Sequence, residues 1–192
     1  LSSRVERQIR SVPSTLVTRA EGAAGEMYIE GYWVVFNQET ELWPGAFEEI
    51  APTAFDGSLD RDVRALINHD STLVLGRTKA GTLELRVDSH GLWGRVKINP
   101  KDTDAVNLYE RVKRGDVDQC SFGFNILDEV TEWRDDGTVK WTITKAELWE
   151  VSVCTFPAYE QTSIQARMAE VEQHRKRLFE ARKTKLKERL GG

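Results

Sequence analysis

From Met27 to Thr155 the apolar positions of this chain mostly alternate with polar ones, the period-two pattern of half-buried strands. Thr82-Leu83-Glu84-Leu85-Arg86-Val87-Asp88 alternates throughout. Gly91-Leu92-Trp93-Gly94-Arg95-Val96-Lys97-Ile98 follows one short Ser-His turn later, which predicts a hairpin. Met27 to Phe36, Val63 to His69, Asp118 to Leu127, Thr138 to Thr144 and Glu147 to Thr155 read as further strands, with turn residues at Asn37 to Gly45 and a stop at Phe156-Pro157-Ala158. One stretch changes period. Val106, Tyr109 and Val112 share a helical face between an N-cap at Asp102 or Thr103 and a C-terminal Gly115.

The ends differ from this middle. Residues 1 to 24 are polar and Ser-rich, with Pro13 and a Gly-Ala-Ala-Gly stretch; Val5, Ile9 and Val12 could form a short amphipathic turn, or residues 14 to 19 could supply a first strand. Residues 165 to 190 hold no Gly or Pro and only a thin stripe of Met168, Val171, Leu178, Phe179 and Leu186, which predicts a long charged helix too polar to be buried. The reading is therefore an N-terminal arm (1–24), a β-rich domain (25–164) and a helical tail (165–192). Short strands with turns every 8 to 12 residues or so suggest a barrel or sandwich.

Composition adds limits. With 6 Trp, 7 Phe and 4 Tyr in 192 residues a real core can form. No run approaches the roughly 18 apolar residues of a membrane span, and no signal-peptide pattern opens the chain, so a soluble intracellular protein is expected. It begins at Leu1 rather than Met, from which processing is expected. Two cysteines and three histidines lie in no metal-binding spacing, and no glycine-rich phosphate loop is present, so neither metal nor cofactor is expected. From Gln165 onward there are 9 Lys/Arg against 4 Asp/Glu, a local +5, on a chain whose total is −4. An acidic body with a basic tail suggests an acidic partner for the tail; with Phe179 as its single aromatic, the tail makes a poor nucleic-acid binder.

Three strands carry candidate chemistry. On Val117 to Asn125 the mostly apolar face takes Asp118, Cys120, Phe122 and Phe124, so Ser121 points the other way, beside Gly123, where a carbonyl could approach its hydroxyl. His69 ends a strand and could act as a general base. Glu150 interrupts an apolar strand, costly unless a partner holds it, and a histidinium is one such partner. Each also fits a plainer role: a solvated serine, a backbone-bonded histidine, a carboxylate paired with arginine. Asp70 adjoins His69 but faces the opposite way on a strand. Cys120 and Cys154 share faces with apolar neighbours and suit small buried hydrophobes; Cys120 could serve as nucleophile only with a one-residue change of register. His90 and His174 suit exposed positions.

Taken together, the segments resemble the tailed-phage prohead proteases that process capsids. The resemblance rests on Ala65-Leu66-Ile67-Asn68-His69-Asp70, Leu75-Gly76-Arg77-Thr78, Gly91-Leu92, Val112-Lys113-Arg114-Gly115-Asp116-Val117, Cys120-Ser121-Phe122-Gly123-Phe124, Leu148-Trp149-Glu150-Val151-Ser152-Val153 and Thr155-Phe156-Pro157-Ala158-Tyr159, spanning residues 28 to 164. One departure is Cys120, where the family often has Met. The resemblance implies a fold similar to the herpesvirus maturational proteases: mainly β with peripheral helices (α+β), a closed antiparallel β-barrel, here with the long C-terminal helix added. It implies a serine endopeptidase with Ser121 as nucleophile, His69 as general base and Glu150 orienting the imidazole; the Gly76-Arg77 loop is the first place to look for oxyanion donors. The implied partners are the scaffolding segment of the major capsid protein and other prohead proteins, inside the immature prohead in the host cytoplasm, with a homodimer or higher oligomer left open. The alternative is a non-catalytic capsid assembly or scaffolding factor that keeps a protease-like barrel.

Overall fold

The structure is a computed structural model and describes residues 4–12, 16–22, 25–156 and 161–190. The chain divides into two compact units, Leu1–Tyr159 and Glu160–Gly192. The first holds strands β1 (Arg4–Val12), β2 (Val17–Glu21), β3 (Glu26–Val35), β4 (Thr40–Trp43), β5 (Ala46–Ile50), β6 (Arg64–Ile67), β7 (Asp70–Arg77), β8 (Leu83–Val87), β9 (Gly91–Lys97), β10 (Gln119–Trp133) and β11 (Val139–Cys154), and helix α1 (Thr103–Arg114). The second is helix α2 (Gln161–Leu190).

Among the described residues the strands form two sheets and no closed barrel. The larger is seven-stranded, ordered β1-β10-β11-β5-β4, with β6 on β11 and β7 on β6; the smaller is β2-β3-β9-β8. Nor is the pairing wholly antiparallel. β5 and β6 both run parallel to β11, β5 along Val139 to Ile143 and β6 along Glu150 to Val153. The expected barrel fails for a structural reason: β11 is long enough to take two partners end to end, and each sheet finishes on edge strands rather than on each other. The runs read as separate strands, Thr138 to Thr144 and Glu147 to Thr155, are one strand because irregularities near Ile126 and Asp128 of its partner let the β10–β11 ladder bend without breaking.

Local rules account for most elements. Asp102 caps α1 by accepting from the N–H groups of Asp104 and Ala105, Gly115 ends it at φ 83°, and Ala105, Leu108, Tyr109 and Val112 are its buried face. β8 and β9 pair as the predicted hairpin. Trp33, Ile29, Leu92 and Val96 of the smaller sheet join Phe122, Phe124, Ile143, Leu148, Val151 and Val153 of the larger in one core. Each such side chain contributes about 1.5–3 kcal/mol on burial.

The N-terminal stretch differs from an amphipathic turn. Residues 4–12 are extended, with Gln8 and Arg10 buried, and pair antiparallel with β10. Pro13 and the Pro157-Ala158-Tyr159 motif lie outside the described residues. In α2, Lys176 pairs with Glu172 at 2.7 Å and Lys183 with Glu180 at 3.5 Å, while Leu178, Phe179 and Leu186 are exposed. No helix among the described residues is long and apolar enough to cross a membrane.

Candidate active site

The site is built on the β10–β11 ladder. Ser121 lies directly opposite Ser152, and Gly123 opposite Glu150. Directly opposed residues share a face with Cβ atoms about 4.5–5.5 Å apart, so Ser121, Ser152 and Glu150 form one polar cluster. Gly123 makes room for it: a Cβ there would come within 2.5 Å of Glu150 Oε1 and 2.7 Å of Arg7 Nε.

His69 arrives from β6. Ile67 and Asp70 pair across a two-residue turn whose central residues, Asn68 and His69, have φ of 50° and 62°. A tight hairpin turn needs positive φ at both places, which asparagine tolerates and histidine adopts at a cost of about 1 kcal/mol or more. The turn is pinned to β11. Asn68 N–H donates to the Val153 carbonyl at 2.9 Å, Thr155 N–H to Asn68 Oδ1 at 2.9 Å, and His69 N–H to Ser152 Oγ at 3.2 Å. The left-handed backbone turns the imidazole back over β11, where Nδ1 meets Glu150 Oε1 at 2.6 Å.

Glu150 is almost fully buried and carries three partners: His69, the Ser152 hydroxyl donating to Oε2 at 2.6 Å, and Arg7 Nη2 at 2.7 Å from Oε1. Burial pushes its pKa up, but the bonds from His69, Ser152 and Arg7 outweigh burial and hold the carboxyl below its usual range. A fixed carboxylate on Nδ1 makes Nε2 the basic nitrogen.

Nε2 faces Cys154 Sγ at 3.6 Å, and no hydrogen bond joins His69 to Ser121. The Ser121 hydroxyl instead donates to the Arg10 carbonyl at 2.8 Å, and Ser121 is wholly buried beneath β1. The accessible hydroxyl expected from the strand pattern is thus a covered one, because β1 takes the edge of β10 with Ser11 against Ser121. Cys154 is buried, as expected of it, yet against the imidazole rather than in a purely apolar setting. Burial first, and then the Glu150 charge, push its thiol up to about 12, so it stays protonated. Cys120 is buried against the Tyr32 carbonyl.

The other candidates lie apart. Arg77 binds Asp62, and a Cβ at Gly76 would meet Val96 and the Thr82 carbonyl, so this glycine serves close strand packing. Neither residue is bonded to Ser121, His69 or Glu150. Asp70 faces Thr72, with bonds of 2.8 and 2.6 Å to its N–H and hydroxyl. His90 is exposed, edge-on to Tyr32. Among the described residues no group of three or more His, Cys, Asp or Glu could hold a metal ion. The residues missed from sequence are Ser152, Arg7 and Cys154. Ser152 and Cys154 follow Glu150 at period two, the one signal that could have drawn them into the cluster; Arg7 gave none.

A carboxylate bonded to one nitrogen of an imidazole leaves the other nitrogen able to take or give a proton. Comparison with known proteins bears on which chemistry this serves. The prohead protease of Enterobacteria phage HK97 is 33% identical over 146 residues, 71% of this chain and 58% of that protein, so the chain spans less than two thirds of that relative. The capsid assembly protease gp21 of bacteriophage T4 has a similar fold, with a TM-score of 0.51 at 10% identity over 78% of this chain and 97% of that one. A family model described as caudovirus prohead serine protease matches residues 14–177, and the chain belongs to that family.

Proposed function

We propose that this chain is a capsid maturation protease: a serine endopeptidase that cleaves the scaffolding segment of the major capsid protein, and itself, inside the immature prohead. The observation that carries the reading is the 2.6 Å bond between His69 Nδ1 and Glu150 Oε1 on the face that also bears Ser121. Ser121 Oγ attacks a peptide carbonyl while His69 Nε2 takes its proton; Glu150 stabilises the imidazolium. The amine leaves with that proton, and water, activated by the same imidazole, hydrolyses the ester. For this the Ser121 hydroxyl must turn from the Arg10 carbonyl toward Nε2. The protonated thiol of Cys154 argues against a cysteine nucleophile.

The tail has a role of its own in this reading. α2, with its +5 charge and exposed Leu178, Phe179 and Leu186, anchors the protease to an acidic helical scaffold, and self-cleavage later removes it. Deleting residues 165–192 abolishes incorporation into proheads and leaves peptide cleavage intact; unchanged incorporation sinks the anchor. The main test compares the native chain with Ser121→Ala on capsid precursor. Loss of precursor and self cleavage supports the assignment. Equal cleavage by the variant refutes it, and assembly without any cleavage by the native chain returns the scaffolding-factor reading.

A further inference from the structure

We propose that Glu48 is a specificity-determining residue of this site, selecting substrates with arginine or lysine immediately before the scissile bond, and that β1 lies where such a substrate strand binds. The inference rests on the proposed peptidase function and goes on to name the substrate class.

The Ser121 hydroxyl marks where a substrate carbonyl would sit. In acyl transfer the residue whose carbonyl meets the nucleophile is the one preceding the scissile bond. Ser121 Oγ lies 2.8 Å from the carbonyl oxygen of Arg10. A C=O bond is about 1.2 Å long, so the carbonyl carbon is within about 4 Å of Oγ, close to the roughly 3–3.5 Å of an attack geometry. β1 runs antiparallel along the edge of β10, the way an extended peptide adds to a sheet.

The second observation is where the Arg10 side chain goes. It leaves β1 on the face opposite Ser11 and is buried, 4% exposed. Nε meets Glu48 Oε1 at 2.5 Å and Nη2 meets Oε2 at 3.1 Å, a two-pronged pairing that fits a guanidinium. The guanidinium lies 6.0 Å from the Phe124 ring centre. Val34, Val35, Ile50 and Phe122 wall the space around it, which keeps a volume of about 30 Å³. Apolar walls for an alkyl stem and one buried acid at the end form a pocket for a long cationic side chain. Glu48 is itself 3% exposed. When β1 leaves, an occupant without a positive charge forgoes the two-pronged pairing that Arg10 makes with this carboxylate, so discrimination against a wrong substrate is built in.

The chemistry balances. Oγ bonds to the carbonyl carbon of the basic residue, the hydroxyl proton passes through His69 to the departing amine, the C–N bond breaks, and water hydrolyses the ester.

The test uses the full-length chain and synthetic peptides copying residues 5 to 14, with Arg, Lys, Leu or Glu at the place of Arg10. Cleavage falls after that residue, and kcat/KM is roughly 10- to 100-fold higher for Arg and Lys than for Leu or Glu. In Glu48→Gln the Arg-to-Leu ratio collapses toward one. A Glu48 that only holds the fold lowers all peptides together and leaves the ratio where it was, which overturns the inference; so does cleavage indifferent to the preceding residue. A ratio is insensitive to the fraction folded, and if Glu48→Gln does not fold, Glu48→Asp, whose shorter reach weakens the two-pronged pairing, lowers the Arg-to-Leu ratio, an unchanged ratio again overturning the inference. Ser121→Ala separates the two layers: activity surviving in it refutes the peptidase reading itself, whereas activity lost in it with an unmoved ratio refutes only the pocket. If the chain cuts capsid precursor but no peptide, cut sites mapped by mass spectrometry decide, and cuts not following Arg or Lys overturn the proposal.

Discussion

Ser152→Ala tests the site where its geometry is tightest. The Ser152 hydroxyl donates to Glu150 Oε2 at 2.6 Å and accepts from His69 N–H at 3.2 Å, and the residue is fully buried. Alanine removes a hydrogen bond to a charge, worth about 1.5–3 kcal/mol, and leaves the N–H of a residue with φ of 62° without its acceptor. Part of that second cost overlaps the first, so the loss of stability is about 2–4 kcal/mol, or roughly 5–15 °C in Tm for a domain of this size. Glu150 also loses one of the bonds that lower its pKa, so its carboxyl climbs toward the ordinary value. The pH at which acid destabilises the protein therefore rises. Loosening both ends of the His69–Glu150 pair should cost peptidase activity about 10- to 100-fold. Denaturant melts at several pH values, with kcat on one peptide substrate, measure all three. Ser152→Thr keeps the hydroxyl and restores most of each. A Ser152→Ala protein with native stability and an unmoved acid transition would refute the reasoning, because Ser152 would then hold nothing in place.

Three further outcomes follow from the same geometry. Gly123→Ala puts a methyl group 2.5 Å from Glu150 Oε1, so it should destabilise by about 1–3 kcal/mol and lower kcat by moving the carboxylate; a fully active variant contradicts the packing described. In Glu150→Gln, the native protein's stability advantage should be present above the usual carboxylate range and vanish as pH falls through the lowered pKa of Glu150, since a group depressed on folding stabilises only while ionised; an advantage that grows in acid reverses the sign. Iodoacetamide at pH 8 should leave Cys154 unmodified in the native chain and modify it after unfolding, because its thiol is pushed up to about 12 and buried; prompt native labelling by mass spectrometry counters this.

What the sequence made legible was local. Alternation placed Cys120, Phe122 and Phe124 on the core face of β10 and so put Ser121 on the other, and Asp102 and Gly115 bracketed α1. Alternation fixes which way a side chain points, not which strand lies alongside. The parallel seating of β5 and β6 on β11 joins segments roughly 90 residues apart, and nothing in either segment announces its partner. β1 was hidden for another reason. Its buried residues, among those described, are Gln8, Arg10 and Ser11, and a polar residue buried by distant partners looks, in sequence, like an exposed one. The same strand conceals Ser121, so the error about β1 and the error about the serine's accessibility are one error. The left-handed turn at His69 carries no sequence signal, since it depends on a two-residue hairpin no longer than Asn68-His69 itself.

The correction from barrel to open sheets bears directly on function. In a closed barrel both edges of the strand carrying Ser121 would be bonded to permanent neighbours, and under the proposed function a substrate would have to reach Ser121 from above. In this fold β10 has β11 on one side and only the N-terminal strand on the other. An edge strand offers unpaired N–H and C=O groups to any extended chain that takes its neighbour's place. Among the described residues β1 is terminal in its sheet and its backbone ladder is with β10, so its departure would break that ladder and the Arg7–Glu150 and Arg10–Glu48 pairs but no other strand pairing. Its departure would free the Ser121 hydroxyl from the Arg10 carbonyl and remove Arg7 from Glu150, while the bonds from Glu150 to His69 and Ser152 stay within β6, its turn and β11. β1 thus reaches this cluster through Arg7, while the bonds from His69 and Ser152 to Glu150 do not involve it. On the proposed roles of these residues, an exposed β10 edge would meet an imidazole still held by its carboxylate, so the proposal requires the His69–Glu150 bond to survive the loss of Arg7.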